Sequence, residues 1–440
     1  MIISGGTVAG QLHPRIADHV DHIVQAYQRQ GTDIRSENAA NGGVDFIHAE
    51  RQLVVREEYL QEVQAVLQRS ALAGANNPAP AVEPVTRGTV LLRFEPTADR
   101  TEGWVLDIVS EIDSQLGGGI ATPNHVLTVA QGEMHPCPAT EPQEVEDGIE
   151  PSPGIRGENS GAGVLIYLAD TGLLAGAEEN HPWLQGVSST ATSHPWRTGA
   201  KSDTDELPAK KIVDGQEIQP IDPYDAHGTF VAGVARCIAP EAHIIVGNVF
   251  DTAGSALETD LVKKLDAALH HGVDIFHLSV ASPTRNDHAL VSLMGWMERL
   301  QEYKGVVCVV AAGNSHARRP CWPGAFPGTI TVGALAADGH SRADFSNYGS
   351  WVDVYAPGRD LINAYATGTY TCHAAPFKGQ ERTFYGMAQW SGTSFSTPIV
   401  TGLIAARMSR TGENAQQAAG ALLAEARAKA VPGVGPVLLP

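Results

Sequence analysis

The sequence predicts an α/β protein of two unequal parts: a small α/β domain, then a large domain built on a parallel β-sheet flanked by helices. Three observations predict it. From Gly161 onward the chain carries short, almost uninterrupted apolar runs: VLIYLAD, HIIVGNVF, VDIFHLSV, VVCVVAAGN, TITVGAL and WVDVYAPG. Runs of this kind suit strands covered by helices on both faces. Over residues 44–130, strand-like and helix-like patterns alternate instead. Between the two lies HPCPATEPQEVEDGIEPSPGIRGENS, whose prolines, glycines and acids cannot build a core and read as a linker. The division is therefore residues 1–135, a linker over 136–160, and a domain over 161–440.

Taken in order, residues 1–42 read as one polar helix followed by a Gly/Asn-rich break over 38–43. VDFIHAERQLVV is strand-like, and Tyr59, Leu60, Val63, Val66 and Leu67 then recur at helical spacing. GTVLLRFEP gives a second strand. Trp104, Val105, Ile108, Val109, Ile112 and Leu116 mark a second amphipathic helix, and NHVLTVA a third strand. In the large domain the polar stretch 186–220 reads as a surface loop near the cleft, and residues 413–429 as a closing helix.

Composition narrows the function. The chain has 440 residues, 43% hydrophobic and 18% charged, ordinary values for a folded protein with a sizeable core. Its 46 glycines and 27 prolines follow no period, which removes collagen-like and low-complexity readings. The formal net charge of -19 argues against nucleic acid or an anionic membrane as partner, since both are polyanions. The N-terminus has no basic start with an apolar core, and the longest apolar run, over 306–312, is far shorter than the roughly 18 residues of a membrane span. A cytoplasmic protein is the expectation, with export by an unrecognised route as the alternative. Five unpatterned cysteines are expected to be mostly reduced thiols, with one bridge, Cys321 to Cys372, left open.

Three segments end a strand or open a helix with a reactive side chain. VLIYLADTG delivers Asp170 at a strand's carboxyl end, and Gly172 permits a sharp exit. In DAHGTFVAGVA, His227 sits where a helix begins. In WSGTSFSTPIVTG, Ser394 sits at a helix start, among unpaired and positively polarised amides, with Pro398 tolerated near the first turn. Acyl transfer needs this set. A base such as His227 must take the Ser394 proton and later protonate the leaving amine. A buried carboxylate, Asp170, would hold the imidazole tautomer and stabilise the imidazolium. The oxyanion needs donors, for which the Ser394 N–H and the side-chain amide of Asn314, ending VVCVVAAGN, are the candidates.

DTG, HGTxVAG, AAGN and GTSxSxP, in the order Asp, His, Asn, Ser, closely resemble the motifs of the subtilisin-like serine proteases. The resemblance covers residues 161–406 and includes WPGAFPGTITVGA and FSNYGSWVDVYAPG. It implies a subtilisin-like sheet, endopeptidase activity through the triad Asp170, His227 and Ser394 with Asn314, and a small N-terminal domain like a family propeptide. It further implies that Ser279, Val280, Ala281 and Ser282 pair with an extended peptide substrate. Ala311, Ala312, Gly313 and Thr393 would contact that substrate, and Cys321 would stand at the base of the P1 pocket, disfavouring the largest aromatic side chains or serving as an inert wall.

Departures from the pattern are informative. Phe230 replaces the second histidine of the usual HGTHVAG, and Ser396 a common alanine. Trp183 stands after His181–Pro182 where an acidic calcium ligand is expected, and the helix after His227 runs on without the loop that completes that site. No cofactor is expected, with room only for a weaker calcium site. No HExxH or spaced Cys/His set marks catalytic zinc, and His270, His271 and His277 read as surface or satisfied core residues. A single DTG does not make an aspartic protease, and His227 with Asn314 excludes the sedolisins. A proteolytically silent subtilase scaffold is the rival from another class. The N-terminal domain is expected to be a propeptide-like chaperone or inhibitor, or else a permanent regulatory domain.

Overall fold

A computed structural model describes the chain from residue 14 onward, except 40–42, 71, 73–77, 98–99, 101, 130–138, 158, 191–210, 214–215, 219, 251–252 and 374–375. Cys137, the first thirteen residues and most of the expected 186–220 loop lie outside the described residues.

The N-terminal part begins with α1 (Pro14–Arg29), β1 (Ile34–Asn38) and β2 (Val44–Arg56). It continues through α2 (Leu60–Arg69), β3 (Ala81–Thr86), β4 (Thr89–Arg93), α3 (Trp104–Leu116) and β5 (Ala121–Thr128). Strands β5, β2, β4 and β3 lie side by side, all antiparallel, and β1 pairs with the start of β2. The polar helix expected ahead of the break ends at Arg29, and the residues after it form a strand, because IRSEN finds the edge of β2. Strand β3 was equally unannounced: it tolerates Pro84 because it lies at the sheet's edge.

The apolar run in β2 has a simple cause. Successive side chains point to opposite faces. Leu53 and Val55 pack under α2 and α3 with Val63, Leu92 and Ile108, while Val54 faces Leu261 and Trp296 of the large domain. The strand is buried on both sides, so alternation with polar residues would be costly.

The large domain runs through β6 (Leu165–Asp170), α4 (Ala177–Asn180), β7 (Ser188–Ser189), β8 (Lys211–Val213), β9 (Gln216–Ile218), β10 (Pro220–Ile221), α5 (His227–Ile238) and β11 (His243–Asn248). Next come β12 (Ser255–Leu257), α6 (Glu258–Ala268), β13 (Ile275–Leu278), α7 (Val291–Leu300), β14 (Val307–Ala311), β15 (Thr329–Leu335) and β16 (Val354–Pro357). The hairpin β17 (Leu361–Thr371) and β18 (Glu381–Trp390) leads to α8 (Thr393–Thr411) and α9 (Ala415–Ala428). A seven-stranded sheet in the order β16-β15-β14-β13-β6-β11-β7 is parallel throughout and contains all six apolar runs. Helices α5, α8 and α9 pack on one face of it, α6 and α7 on the other. Chain order reverses direction at β6, so its carboxyl end borders the crevice where open α/β sheets bind ligands.

Main-chain pairing adds to the side-chain contacts between the parts. Strand β12 of the large domain pairs antiparallel with β5, Ser255 opposite Thr128 and Leu257 opposite Val126, and so extends the N-terminal sheet. The Pro/acid-rich stretch, described over 139–157, lies along the β17–β18 hairpin. Gln143 bridges Gln389, Ser152 bridges Ile362, and the Trp390 indole donates to the Thr140 carbonyl at 2.7 Å. Buried Glu141 accepts from the Tyr370 hydroxyl and from the His373 amide. A segment too polar to make a core is ordered here by borrowing the hairpin's hydrogen bonds.

Candidate active site

Asp170 ends β6, and the chain leaves through Gly172 at φ +86°, a conformation that suits glycine. Gly228 packs on that exit so closely that a Cβ on it would lie 2.3 Å from the Gly172 carbonyl oxygen. This contact seats the start of α5 against the end of β6. His227 thereby donates Nδ1–H to Asp170 Oδ1 at 2.7 Å, and the same oxygen accepts the Thr171 amide at 2.8 Å. Burial works to raise the Asp170 pKa, but the His227 charge and hydrogen bond, the Thr171 amide and His277 together hold it below the usual carboxylate value. The His227 ring rests on Trp390 and Phe395, and Phe230 packs on the same two rings, at 5.7 and 4.4 Å between centroids. The phenylalanine in the HGT segment therefore serves the floor beneath His227.

Ser394 is the second residue of α8, behind Gly392. Pro398 lies inside this helix rather than in its first turn; lacking an N–H, it leaves the Ser394 carbonyl without the usual donor four residues on. Ser396 points at Gly358, where a Cβ would come within 2.0 Å of its hydroxyl, so APG and GTSFS are matched in shape.

Asn314 follows β14 through Gly313 at φ +98°. Its Oδ1 accepts both the Thr393 amide at 2.9 Å and the Thr393 hydroxyl at 3.0 Å, which fixes the amide's orientation and leaves Nδ2 directed elsewhere. Four buried polar atoms at this junction have no partner among the described residues: Asp170 Oδ2, His227 Nε2, Asn314 Nδ2 and Ser394 Oγ. Buried polar groups are normally satisfied, so four orphans on converging elements mark a place kept for something else. The side chains are closed off from water, with Asp170, His227 and Ser394 at 0% exposure and Asn314 at 1%.

The remaining expected residues collect around this junction. Ser279, Val280, Ala281 and Ser282 leave the end of β13, and Ser282 pairs antiparallel with Trp322 through two 2.8 Å bonds. Ala311, Ala312 and Gly313 leave β14 beside them. Thr393 anchors Asn314, as above. Cys321 is buried and receives a bond from Asn347 Nδ2 at 3.4 Å. Neither it nor Cys237, Cys308 or Cys372 is in a disulfide.

Three residues with local roles were not singled out for them by sequence. Asn347 holds the turn after Asn314: its Oδ1 accepts the Ser315 and Ala317 amides and its Nδ2 donates to the Ala312 carbonyl. Only its place in FSNYG hinted at it. His277 is a satisfied core residue, bonded to Ser279 Oγ at 2.8 Å and Thr401 Oγ1 at 3.0 Å. Burial lowers its pKa to about 3, against the pull of Asp170 and with help from His227. It thus joins β13 to the helix that carries Ser394. Arg236 reaches back from α5 to the carbonyls of Trp183, Gln185 and Ala242 at 2.9, 2.6 and 2.8 Å, while the Trp183 indole donates to Asn363. Among the described residues, no group of three or more His, Cys, Asp or Glu is arranged to hold a metal ion.

Residues 161–433 match the model of the subtilase family. The chain belongs to the subtilase family. It is similar to a thermophilic serine proteinase of Bacillus sp. (strain AK1), 32% identical over 209 residues, covering 44% of this chain and 45% of that protein. It is also similar to thermitase of Thermoactinomyces vulgaris, 28% identical over 275 residues, covering 59% of this chain and 80% of thermitase. The aligned part of this subtilase thus spans about half the length of several curated relatives, subtilisin E of Bacillus subtilis (strain 168) included, at 50%. In fold, it is similar to fervidolysin from Fervidobacterium pennivorans, described as a keratinolytic enzyme related to subtilisin. That match has a TM-score of 0.55 at 18% identity and covers 89% of this chain and 60% of fervidolysin. The shared fold therefore extends beyond the subtilase domain into the N-terminal part.

Proposed function

We propose that this subtilase is a serine endopeptidase that cleaves extended peptide segments through an acyl-enzyme on Ser394. The observation that carries the reading is the 2.7 Å bond from His227 Nδ1 to Asp170 beside the unpartnered His227 Nε2, Ser394 Oγ and Asn314 Nδ2. With Nδ1–H committed to Asp170, the free Nε2 lone pair is the base that takes the Ser394 proton. Attack on a peptide carbonyl then places negative charge on its oxygen, towards the Asn314 Nδ2–H and the Ser394 N–H. His227, now imidazolium opposite Asp170, returns the proton to the departing amine. Water repeats the sequence on the acyl-enzyme and releases the second product.

The N-terminal domain acts as an inhibitor held within the same chain. Support comes from β5, which pairs with β12 at Val126, Leu127 and Thr128, while the Ser282 hydroxyl reaches the Val126 carbonyl at 3.5 Å. An extended strand is thereby already seated between β12 and the segment expected to receive substrate. No cofactor takes part, and the tight calcium site of related proteases is replaced by the Arg236 guanidinium, which saturates three carbonyls as a cation would.

Labelling of the purified chain with a fluorophosphonate, before and after limited proteolysis, tests both parts. Adduct formation in wild type and none in Ser394→Ala is expected, stronger once the N-terminal domain is removed. A chain that stays unlabelled in both states would instead be a silent scaffold, the reading that the four orphan atoms disfavour.

A further inference from the structure

Strands β13 and β14 are adjacent and parallel, paired from Ile275–Val307 to Leu278–Val310, and their chains run on into the segments 279–282 and 312–314. On the acyl-enzyme reading, with the oxygen towards Asn314 and substrate paired along 279–282, the P1 side chain enters between these two chains. At Gly313, a Cβ would lie 2.6 Å from Asn347 Nδ2 and 3.0 Å from the Ala281 methyl. Those two groups therefore already occupy the space beside the Gly313 backbone. Behind them, the Asn347 amide donates to the Ala312 carbonyl and to Cys321 Sγ while its oxygen accepts the Ser315 and Ala317 amides, so it cannot swing away without breaking all four bonds. The far end is closed where Ser282 pairs with Trp322. Ala281 is 2% exposed and Cys321 5%.

We infer that this subtilase cleaves after small residues, glycine, alanine or serine, and that the Ala281 methyl above Gly313, backed by Asn347, sets the limit. The inference rests on the acyl-enzyme reading of Ser394. An apolar pocket discriminates weakly, about 10- to 200-fold per methylene, whereas a filled one excludes a branched or aromatic side chain more strongly because walls or main chain must move.

The test uses tetrapeptide anilides that differ only at P1 (Gly, Ala, Leu, Phe), with the full chain incubated to constant activity. Expected is a kcat/KM for alanine at least about tenfold above leucine and phenylalanine. Ala281→Gly should raise the leucine-to-alanine ratio by about tenfold, and Ala281→Val should lower it. Wild type that favours leucine or phenylalanine, or a ratio unmoved in both variants, would overturn the inference while leaving the nucleophile intact. Loss of all hydrolysis together with loss of fluorophosphonate labelling would instead remove the acyl-enzyme reading, and the size limit with it.

Discussion

Single side chains divide the work around Ser394 unevenly. Asp170→Asn should preserve the geometry but present the wrong imidazole tautomer, lowering kcat by on the order of 10⁴ with little change in KM. Asn314→Ala removes the proposed oxyanion donor and should lower kcat by on the order of 10²–10³, the magnitude established within this family. Steady-state kinetics on one good peptide distinguishes the two, and equal small losses in both would argue against the assigned roles. His277 belongs to a different category. Its replacement by alanine strands the hydroxyls of Ser279 and Thr401 in the core, each at about 1–3 kcal/mol. We expect a clear loss of stability in urea, partly recovered by Asn; unchanged stability in His277→Ala would show that the two hydroxyls find other partners. The motif residues stand out in the sequence by residue type and immediate neighbours, and the structure brings them to one junction. Asn347 and Arg236 do not, since each acquires its role from segments far away in the chain, and for His277 the sequence left surface and satisfied core open until Ser279 and Thr401 were seen to bond it.

At the scale of elements, Arg236 makes α5 answerable to the turn after α4. Three charge-assisted bonds to carbonyls hold the 183–185 turn and the start of β11 to the helix that begins with His227. Arg236→Ala should cost about 2–4 kcal/mol, while a chelator should leave the wild-type melting temperature unchanged. A strong chelator effect on wild type would reinstate a metal. Legibility varied by element in the same physical way. The six apolar runs lie in the parallel sheet because burial on both faces forces an unbroken pattern. Strands β1 and β12 were invisible: a polar IRSEN and a three-residue SAL become strands only when β2 and β5 offer them an edge. The arm over 139–157 reads as linker by composition and is ordered only through the hairpin beneath it.

Across the whole molecule, acid acts on neutral histidines, His277 and His125 in the core and His19 half-buried. Burial pushes His19 and His277 down to about 3 and lowers His125 as well, despite the nearby Glu258. His19 lies at the contact between the two parts, bonded to the Tyr224 hydroxyl, with His22 and His373 adding positive charge around it once protonated. Between the unfolded value near 6.5 and the folded value near 3, the unfolded chain holds more protons, so stability falls as pH drops through that window. The melting temperature should be highest above about pH 7 and decline below about pH 6, less steeply in His19→Gln; a flat profile down to pH 4 would refute this. The apolar layer formed by Val54 and Leu91 against Leu261 and Trp296 belongs to neither part alone. A cut before Ala139 leaves that layer in place, so it does not by itself release the cleft. What changes is mass action: a tethered neighbour at fixed local concentration becomes a dissociable ligand. Activity of a nicked preparation should therefore rise on dilution, and an activity per molecule independent of concentration would mean that the two parts never separate.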